Sequence, residues 1–299
     1  MNSKIAFIGS SVVDVILHLP HLPQTAQDLN ITSQQFAMGG CAWNAASICR
    51  RFQVPSMLCT PVGTGIYGDY VKAAFQREQI ELCFESEEEN GCCYCLVEES
   101  GERTFLAYHG TEYKFRPEWF EDLDKDAIST VYVCGLELEE DTGIHILHYL
   151  QNHPDLIIYF APGPRILQLP QSMMDALLDL QVILHLNEEE ALSFTGTNTI
   201  EEAAHILYRR THSPLIITLG KQGAAYMDET GGFHIVHSEP VMPIDTIGAG
   251  DAHIGTIIAR RFLQDSWEDA VHKANQVAAA VVSTQGATLN EDEFNKLSL

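Results

Sequence analysis

Short apolar runs rich in Val, Ile and Phe recur along the chain, separated by longer stretches of helical period. This alternation limits the architecture more than any other feature. Ile5 to Gly9, Ser56 to Thr60, Thr130 to Cys134, Leu156 to Phe160, Val182 to Leu184 and Leu215 to Leu219 read as strands. Ala42 to Phe52, Tyr67 to Glu78, Gly143 to Gln151, Pro170 to Leu180, Glu188 to Thr195 and Ile200 to Arg210 read as helices between them. Such a pattern predicts βαβ units around a mostly parallel sheet, an α/β fold. No repeat, low-complexity tract or Pro/Gly/Ser linker divides the 299 residues, so one domain over 1–299 is expected. Two regions break the alternation. Residues 12–19, 31–36, 92–98 and 104–108 read as strands without intervening helices, the last two joined by the turn Glu99-Ser100-Gly101-Glu102. In an open α/β fold the ligand crevice lies at the carboxyl ends of the parallel strands, so a small sheet built from these segments is expected to act as a lid.

Charge then removes whole classes of partner. With 17 Lys+Arg against 41 Asp+Glu the formal charge is −24, and no basic run exceeds the pairs Arg50-Arg51, Arg209-Arg210 and Arg260-Arg261. Such a surface repels phosphate backbones, which argues against nucleic acid. No apolar stretch approaches the ~20 residues that span a bilayer, and Asp14 interrupts the first apolar run, which reads as a strand rather than a secretory leader. A cytoplasmic protein with no membrane partner is the expectation. Eight cysteines are too sparse for a disulfide scaffold and read as reduced thiols. Cys92, Cys93 and Cys95 lack an answering CxxC or His pair; in an extended segment Cys93 and Cys95 share one face and Cys92 and Tyr94 the other, which favours packing over metal binding. His145 and His148, one helical step apart with Asp141 nearby, lack further ligands, and no metal is assigned to them.

The segment Asp245-Thr246-Ile247-Gly248-Ala249-Gly250-Asp251-Ala252-His253, leading into Ile254 to Leu263, carries the chemistry. A Gly-rich turn entering a helix presents unpaired backbone N–H groups, reinforced by the helix dipole, to an anion. Asp251 has no obvious place in a cradle built for negative charge unless it accepts a proton from a hydroxyl that then attacks phosphorus. The bland reading makes it a capping carboxylate beside a simple turn.

Asp245 to Asp251 closely resembles the DTxGAGD signature of the ribokinase-like carbohydrate kinases, the phosphofructokinase B family. Other segments agree in order along essentially the whole chain. Gly9 and Asp14 resemble the first strand and sugar-binding aspartate, and Gly39-Gly40 with Asn44 the GGxxxN segment. Asn187 with Glu190 resembles NxxE, and Thr218, Gly220 and Gly223 the TxGxxG nucleotide loop. The resemblance implies a three-layer αβα fold with a small β lid that closes to exclude water, and transfer of the ATP γ-phosphate to a sugar hydroxyl. It implies Asp251 as general base and the amides of Gly248, Ala249 and Gly250 as anion hole. Asp14, Gly40, Asn44, Glu137 and Arg165 would bind the sugar. Asn187 and Glu190 would organise Mg²⁺ and phosphates, largely through water. Thr218, Gly220, Gly223 and Asn275 would line the nucleotide site. Relatives of this kind also hold a monovalent cation such as K⁺ near the anion hole, and the carbonyls around Asp245, Thr246, Ser283 and Gly286 are the matching neighbourhood. Their lids often pair, which implies a homodimer.

The departures concern the substrate. His253 stands where the family commonly has an aromatic residue and is expected to pack in the core. Ala161-Pro162-Gly163-Pro164-Arg165 replaces a DxNxR-like segment, and Trp43 puts an aromatic beside Asn44, to stack on a ring or pack against the lid. Three rivals remain in view. A nucleoside kinase would share every phosphate motif, and a sugar or nucleotide sensor would bind without turnover. The third, a nicotinamide-dependent dehydrogenase, rests on Gly63-Thr64-Gly65-Ile66-Tyr67-Gly68, a literal GxGxxG with Glu87 to Glu89 about twenty residues on. It follows the second strand rather than opening the fold, and resembles the kinase VGxDxxG segment with Gly65 in place of the aspartate.

Overall fold

The computed structural model describes residues 3–299. In chain order the strands are β1 (Lys4–Ile8), β2 (Val12–Leu19), β3 (Ser33–Gly39), β4 (Ser56–Cys59), β5 (Pro61–Thr64), β6 (Phe84–Glu89), β7 (Cys92–Glu98), β8 (Arg103–Tyr108), β9 (Ile128–Cys134), β10 (Ile157–Ala161), β11 (Ile183–Asn187), β12 (Leu215–Thr218), β13 (Ala224–Met227) and β14 (Phe233–Val236). The helices are α1 (Cys41–Arg51), α2 (Gly65–Glu78), α3 (Pro117–Leu123), α4 (Gly135–Glu139), α5 (Gly143–Asn152), α6 (Gln171–Asp179), α7 (Glu188–Thr195), α8 (Ile200–Thr211), α9 (Ala249–Phe262), α10 (Trp267–Val282) and α11 (Glu291–Asn295). Among the described residues no helix is long and apolar enough to cross a membrane.

The main sheet has eight strands in the order β14-β13-β12-β11-β10-β9-β1-β4. From β4 to β12 neighbouring strands are parallel, and β13 and β14 add an antiparallel edge. Alternate side chains feed two separate cores, which is why these strands read as unbroken apolar runs. Ala6, Ile8, Val131, Val133, Leu184 and Ile217 join Ile146, Leu177 and Leu207 on one face. Ile5, Phe7, Tyr132, Tyr159 and Ile216 join Ala42, Val71, Ile254, Ile257 and Val271 on the other. The result is a three-layer αβα arrangement. From β1 the chain steps outward to β4 and then re-enters on the opposite side at β9, so the strand order reverses between β1 and β9. That reversal opens a crevice at their carboxyl ends.

A second sheet, β3-β2-β7-β8, stands apart from the first. Its register puts Asp14 of β2 beside Ala37 of β3 and Cys93 of β7, and Cys93 beside Ala107 of β8. Alternation along these strands places Asp14, Ile16 and His18 on one face with Cys93, Cys95, Val97, Phe105 and Arg103. The opposite face carries Val13, Val15 and Cys92, which pack with Val71 and Phe75 of α2, and the Tyr94 hydroxyl meets that of Tyr67 at 3.2 Å. Strand β3 begins at Ser33, two residues later than expected, and continues to Gly39; β8 begins at Arg103.

The GxGxxG segment is used for packing. A side chain at Gly63 would sit 2.0 Å from the Glu88 carbonyl, and one at Gly68 2.6 Å from that of Gly63. These glycines let β6 and the Asn90 turn lie against β5, in a separate two-stranded sheet rather than at the head of the parallel one. Trp43 is likewise structural: it is buried and stacks on Phe75 with ring centroids 5.6 Å apart.

One contact sets where the functional helix lies. At Gly255 of α9 a Cβ would fall 2.3 Å from the carbonyl oxygen of Ala45, so the bare backbone lets α9 press against α1. Gly255→Ala is therefore expected to destabilise the protein by ~1–3 kcal/mol through overpacking, read as a lower denaturation midpoint in urea.

Candidate active site

The crevice is built from four pieces of chain that end or begin beside the β1–β9 reversal. After β1, Gly9 keeps a close approach that a side chain would block, since its Cβ would lie 2.8 Å from that of Ala42 and 3.3 Å from Glu137 Oε1. The Ser10 amide donates to Glu137 Oε1 at 2.7 Å, and the Cys134 thiol donates to Glu137 Oε2 at 2.7 Å. Glu137, buried in α4, therefore ties the end of β1 to the end of β9.

Strand β3 runs into α1 through Gly39 and Gly40. At Gly39 a Cβ would stand 2.2 Å from Asp14 Oδ2, so glycine is what leaves room for that carboxylate. Gly40 adopts φ +96, a conformation L side chains rarely take, and approaches the Ser10 carbonyl. One turn on, Asn44 donates from Nδ2 to Asp251 Oδ2 at 2.9 Å, while its own Oδ1 is buried without a partner in the protein. A buried orphan acceptor of this kind suits a ligand hydroxyl.

Helix α9 follows Gly248, which sits in the left-handed region at φ 75 against Ala287 and supplies no side-chain cap. The first-turn amides thus lack both intrahelical and side-chain acceptors. Nothing lies within 4 Å of where a Cβ at Gly250 would be, so the space above the turn is open. These N–H groups and the dipole suit an anion.

Asp251 lies in that first turn, partly buried. Burial pushes its carboxyl up to about 6, against the opposing hydrogen bonds from Asn44 and Cys41 and with the Glu137 charge adding to the rise. Asp14 is also pushed up to about 6, by burial first and then by the Asp251 charge. Two buried carboxylates raised in this way, Asp251 beside the Glu137 charge and Asp14 beside that of Asp251, mark a site suited to proton transfer near neutral pH.

A 640 Å³ cleft lies between the second sheet and the loops before α9 and after α10. Ile16, Ala37, Cys95 and Arg103 line its upper side, and Asp245, Ile247 and Gly286 its lower side. A second opening, of about 660 Å³, lies at the ends of β11 and β12, lined by Asn187, Glu188, Thr218 and Gly220 among others. Asn187 and Thr218 are register partners there. The Thr218 hydroxyl donates to the Leu186 carbonyl at 3.3 Å. Asn187 and Glu190 form the capping box of α7: Asn187 Oδ1 accepts from the Glu190 amide at 2.8 Å, and Glu190 Oε2 accepts from the Asn187 amide at 2.9 Å. Burial holds the Glu190 carboxyl above its ordinary range, with the Glu189 charge adding to it.

The residues singled out from sequence thus fall into groups. Asp14, Gly40, Asn44, Glu137 and Asp251 converge with the Gly248–Gly250 turn. Asn187, Thr218 and Gly220 share the second opening. Gly223 is buried at φ +104, where a Cβ would meet the Val236 carbonyl at 2.1 Å, so it serves the approach of β13 to β14. Arg165 pairs with Glu139 at the end of α4, and no hydrogen bond among the described residues joins it to Asp14, Asn44 or Asp251.

Asn275 is engaged on both sides of its amide. Its Nδ2 donates to the Val236 carbonyl at 2.9 Å, so its Oδ1 faces His253 Nε2 at 3.2 Å as an acceptor. That makes His253 Nε2 the protonated nitrogen and leaves Nδ1 to accept from His185 Nε2 at 3.0 Å. Burial lowers both rings, His253 to about 4, so the chain is neutral. His253 stands on the core side of α9, in contact with His185 and Asn275.

Residues 2–293 match the family described as pfkB family carbohydrate kinase. The chain is 30% identical over 292 residues to an uncharacterized sugar kinase, YegV, of Escherichia coli K12, covering 95% of this chain and 90% of that one. A ribokinase from Thermotoga maritima superimposes with a TM-score of 0.85 at 19% identity, covering 100% of this chain and 99% of its own. A ribokinase from Arabidopsis thaliana, complexed with ribose and ATP, does so at 0.81 and 18% identity, covering 99% of each.

The raised pKa of Asp251 has a consequence for stability. The native state binds its proton more tightly than the unfolded chain, whose carboxyl titrates near 3.8. The stabilisation this provides is complete below that value and lost as pH rises through about 6. Asp251→Asn removes the loss, so the variant is expected to be more stable than the parent by ~1–3 kcal/mol above neutral pH and no more stable in acid below the unfolded value, measured by thermal unfolding across pH.

Proposed function

Because the chain belongs to the pfkB family of carbohydrate kinases, we propose that Asp251 is the base with which this sugar kinase activates a substrate hydroxyl, and that the amides of Gly248, Ala249 and Gly250 receive the transferring phosphoryl group of ATP. The family supplies the reaction class, a phosphotransferase with an alcohol acceptor. The finer assignment rests on one observation: a buried carboxylate, pushed up to about 6, sits in the first turn of an uncapped helix, bonded to Asn44 and with the Glu137 charge nearby.

Asn44 and Asp14 orient the acceptor. Asn44 Oδ1 and Asp14 accept from sugar hydroxyls, while the glycines at 39 and 40 let the ring lie close to the backbone. Glu137 acts at one remove by fixing Ser10 and the ends of β1 and β9. The second sheet, carrying Asp14 and Arg103 over the cleft, is the lid that keeps water from competing for the phosphoryl group. Asn275 is bound to protein partners on both sides of its amide and holds structure rather than nucleotide, and the ion pair with Glu139 draws Arg165 toward α4.

Asn187 and Glu190 suit Mg²⁺ only at second hand, since one oxygen of each already accepts an amide in the capping box. Water would bridge them to the ion, which prefers to keep several waters. Bound with the nucleotide, Mg²⁺ would neutralise charge on the phosphates. Thr218 and Gly220, beside Asn187, leave the second opening free for the nucleotide.

Asp251→Asn is expected to keep the fold and lower kcat by ~10²–10⁴, measured as ADP release over a panel of pentoses, hexoses, keto-deoxy acids and nucleosides; an unchanged rate reassigns the base. Since Asp251 and Asp14 both act as acceptors when ionised and both are pushed up to about 6, kcat/KM should fall below about pH 6 as the two are protonated. The exposed Phe105, Leu106 and Tyr108 of edge strand β8 favour a homodimer joined through the lid, detectable by sedimentation.

A further inference from the structure

Asp245 is the first residue of the signature turn, and both its oxygens are taken. Oδ1 accepts from the Ile247 amide at 2.9 Å and from Arg103 Nη1, and Oδ2 accepts from the Gly286 amide at 3.1 Å. The three donors come from three places: the turn itself, the loop after α10, and strand β8 of the second sheet. Asp245 is buried, its side chain 9% exposed, and that of Arg103 is 21% exposed, so the pair is largely out of water. Burial would push the Asp245 carboxyl up, but Arg103 and the two amides outweigh it and hold it below its ordinary value. It stays ionised, six residues before Asp251.

A K⁺ ion at this position needs oxygen lone pairs aimed at a common point. Here both oxygens of the one carboxylate face a guanidinium and two N–H donors, so the only formal negative charge among Asp245, Thr246, Ser283 and Gly286 is already answered by protein groups, and the Asp245 side chain does not fit K⁺. The charge needs that answer, because an uncompensated carboxylate beside the anion turn would oppose the phosphoryl oxygens the turn is meant to receive.

We propose that the guanidinium of Arg103 is the resident cation of this loop, replacing a monovalent metal ion, so that the enzyme turns over without one and the anion turn is aligned when β8 is seated above it. Arg103 is then a positioning residue, acting through Asp245 on the Gly248–Gly250 amides; the inference rests on the function proposed above. Its side chain lines the 640 Å³ cleft together with Asp245, which makes the link from lid to turn a direct one.

The test compares wild-type protein, Arg103→Met and Arg103→Lys in choline chloride and in KCl at equal ionic strength, by thermal unfolding and by steady-state ADP release. Wild type is expected to show the same Tm and kcat in both salts. Arg103→Met is expected to lose about 10–100-fold in kcat with a smaller change in KM, as misalignment of a reacting group does, and to unfold at lower temperature in choline chloride. K⁺ should restore part of both, and Arg103→Lys should retain most of the activity. A K⁺-specific rise in wild-type Tm or kcat overturns the proposal, as does an Arg103→Met variant indistinguishable from wild type. Should Arg103→Met not fold, the wild-type salt comparison decides alone. Absence of turnover with every substrate counts against the proposed function, while the Tm comparison still decides the role of Arg103.

Discussion

The burial of one carboxylate at the start of α9 is what the remainder of the site is arranged around. A helix N-terminus attracts negative charge, and an isolated aspartate there would keep a low pKa. Asp251 is instead pushed up to about 6, because the close packing of α9 on α1 takes it out of water, with the Glu137 charge adding to the rise. That packing depends on an absent side chain at Gly255 and brings Asn44 within 2.9 Å of the carboxylate. A base strong enough to take a hydroxyl proton, yet ionised at neutral pH, follows from these contacts rather than from the residue type.

The second sheet is joined to the first in two ways that differ physically. On the far face the joint is apolar, with Val13, Val15 and Cys92 against α2. Over the cleft it is polar and sparse: Asp14 leans on Gly39, and Arg103 reaches Asp245. Apolar packing tolerates small slides, whereas an ion pair and a carboxylate fitted against bare backbone are sensitive to them. The cleft face is thus where sheet position and chemistry are coupled.

Behind the site, β11, α9, α10 and β14 are linked by His185, His253, Asn275 and the Val236 carbonyl. Each donor finds an acceptor only if both rings are neutral and share one tautomer. A buried polar chain satisfied in this way fixes the rotation of α9 about its axis, and so the direction in which Asp251 points. The same logic holds at α7, where the capping box uses the groups that sequence pattern assigns to metal and phosphate.

Periodicity alone made the mostly parallel sheet legible, since strands buried on both faces must be apolar throughout and the helices between them amphipathic; the three-layer arrangement was implied by the family resemblance. The glycine turn and Asp251 were legible too, because uncapped amides at a helix start have few uses. Strand β8 was read one residue short, which hid Arg103: nothing local marks an arginine in a charged hairpin as the partner of an aspartate 142 positions away. Asn275 matched a pattern, yet its partners, His253 and the Val236 carbonyl, lie on other elements, so only the fold shows that both sides of its amide are already engaged. Local sequence determines which hydrogen-bonding groups a segment offers. Which of them stay free for a ligand depends on distant chain brought close, and here that was decided by the approach of α9 to α1 and of β8 to the turn before α9.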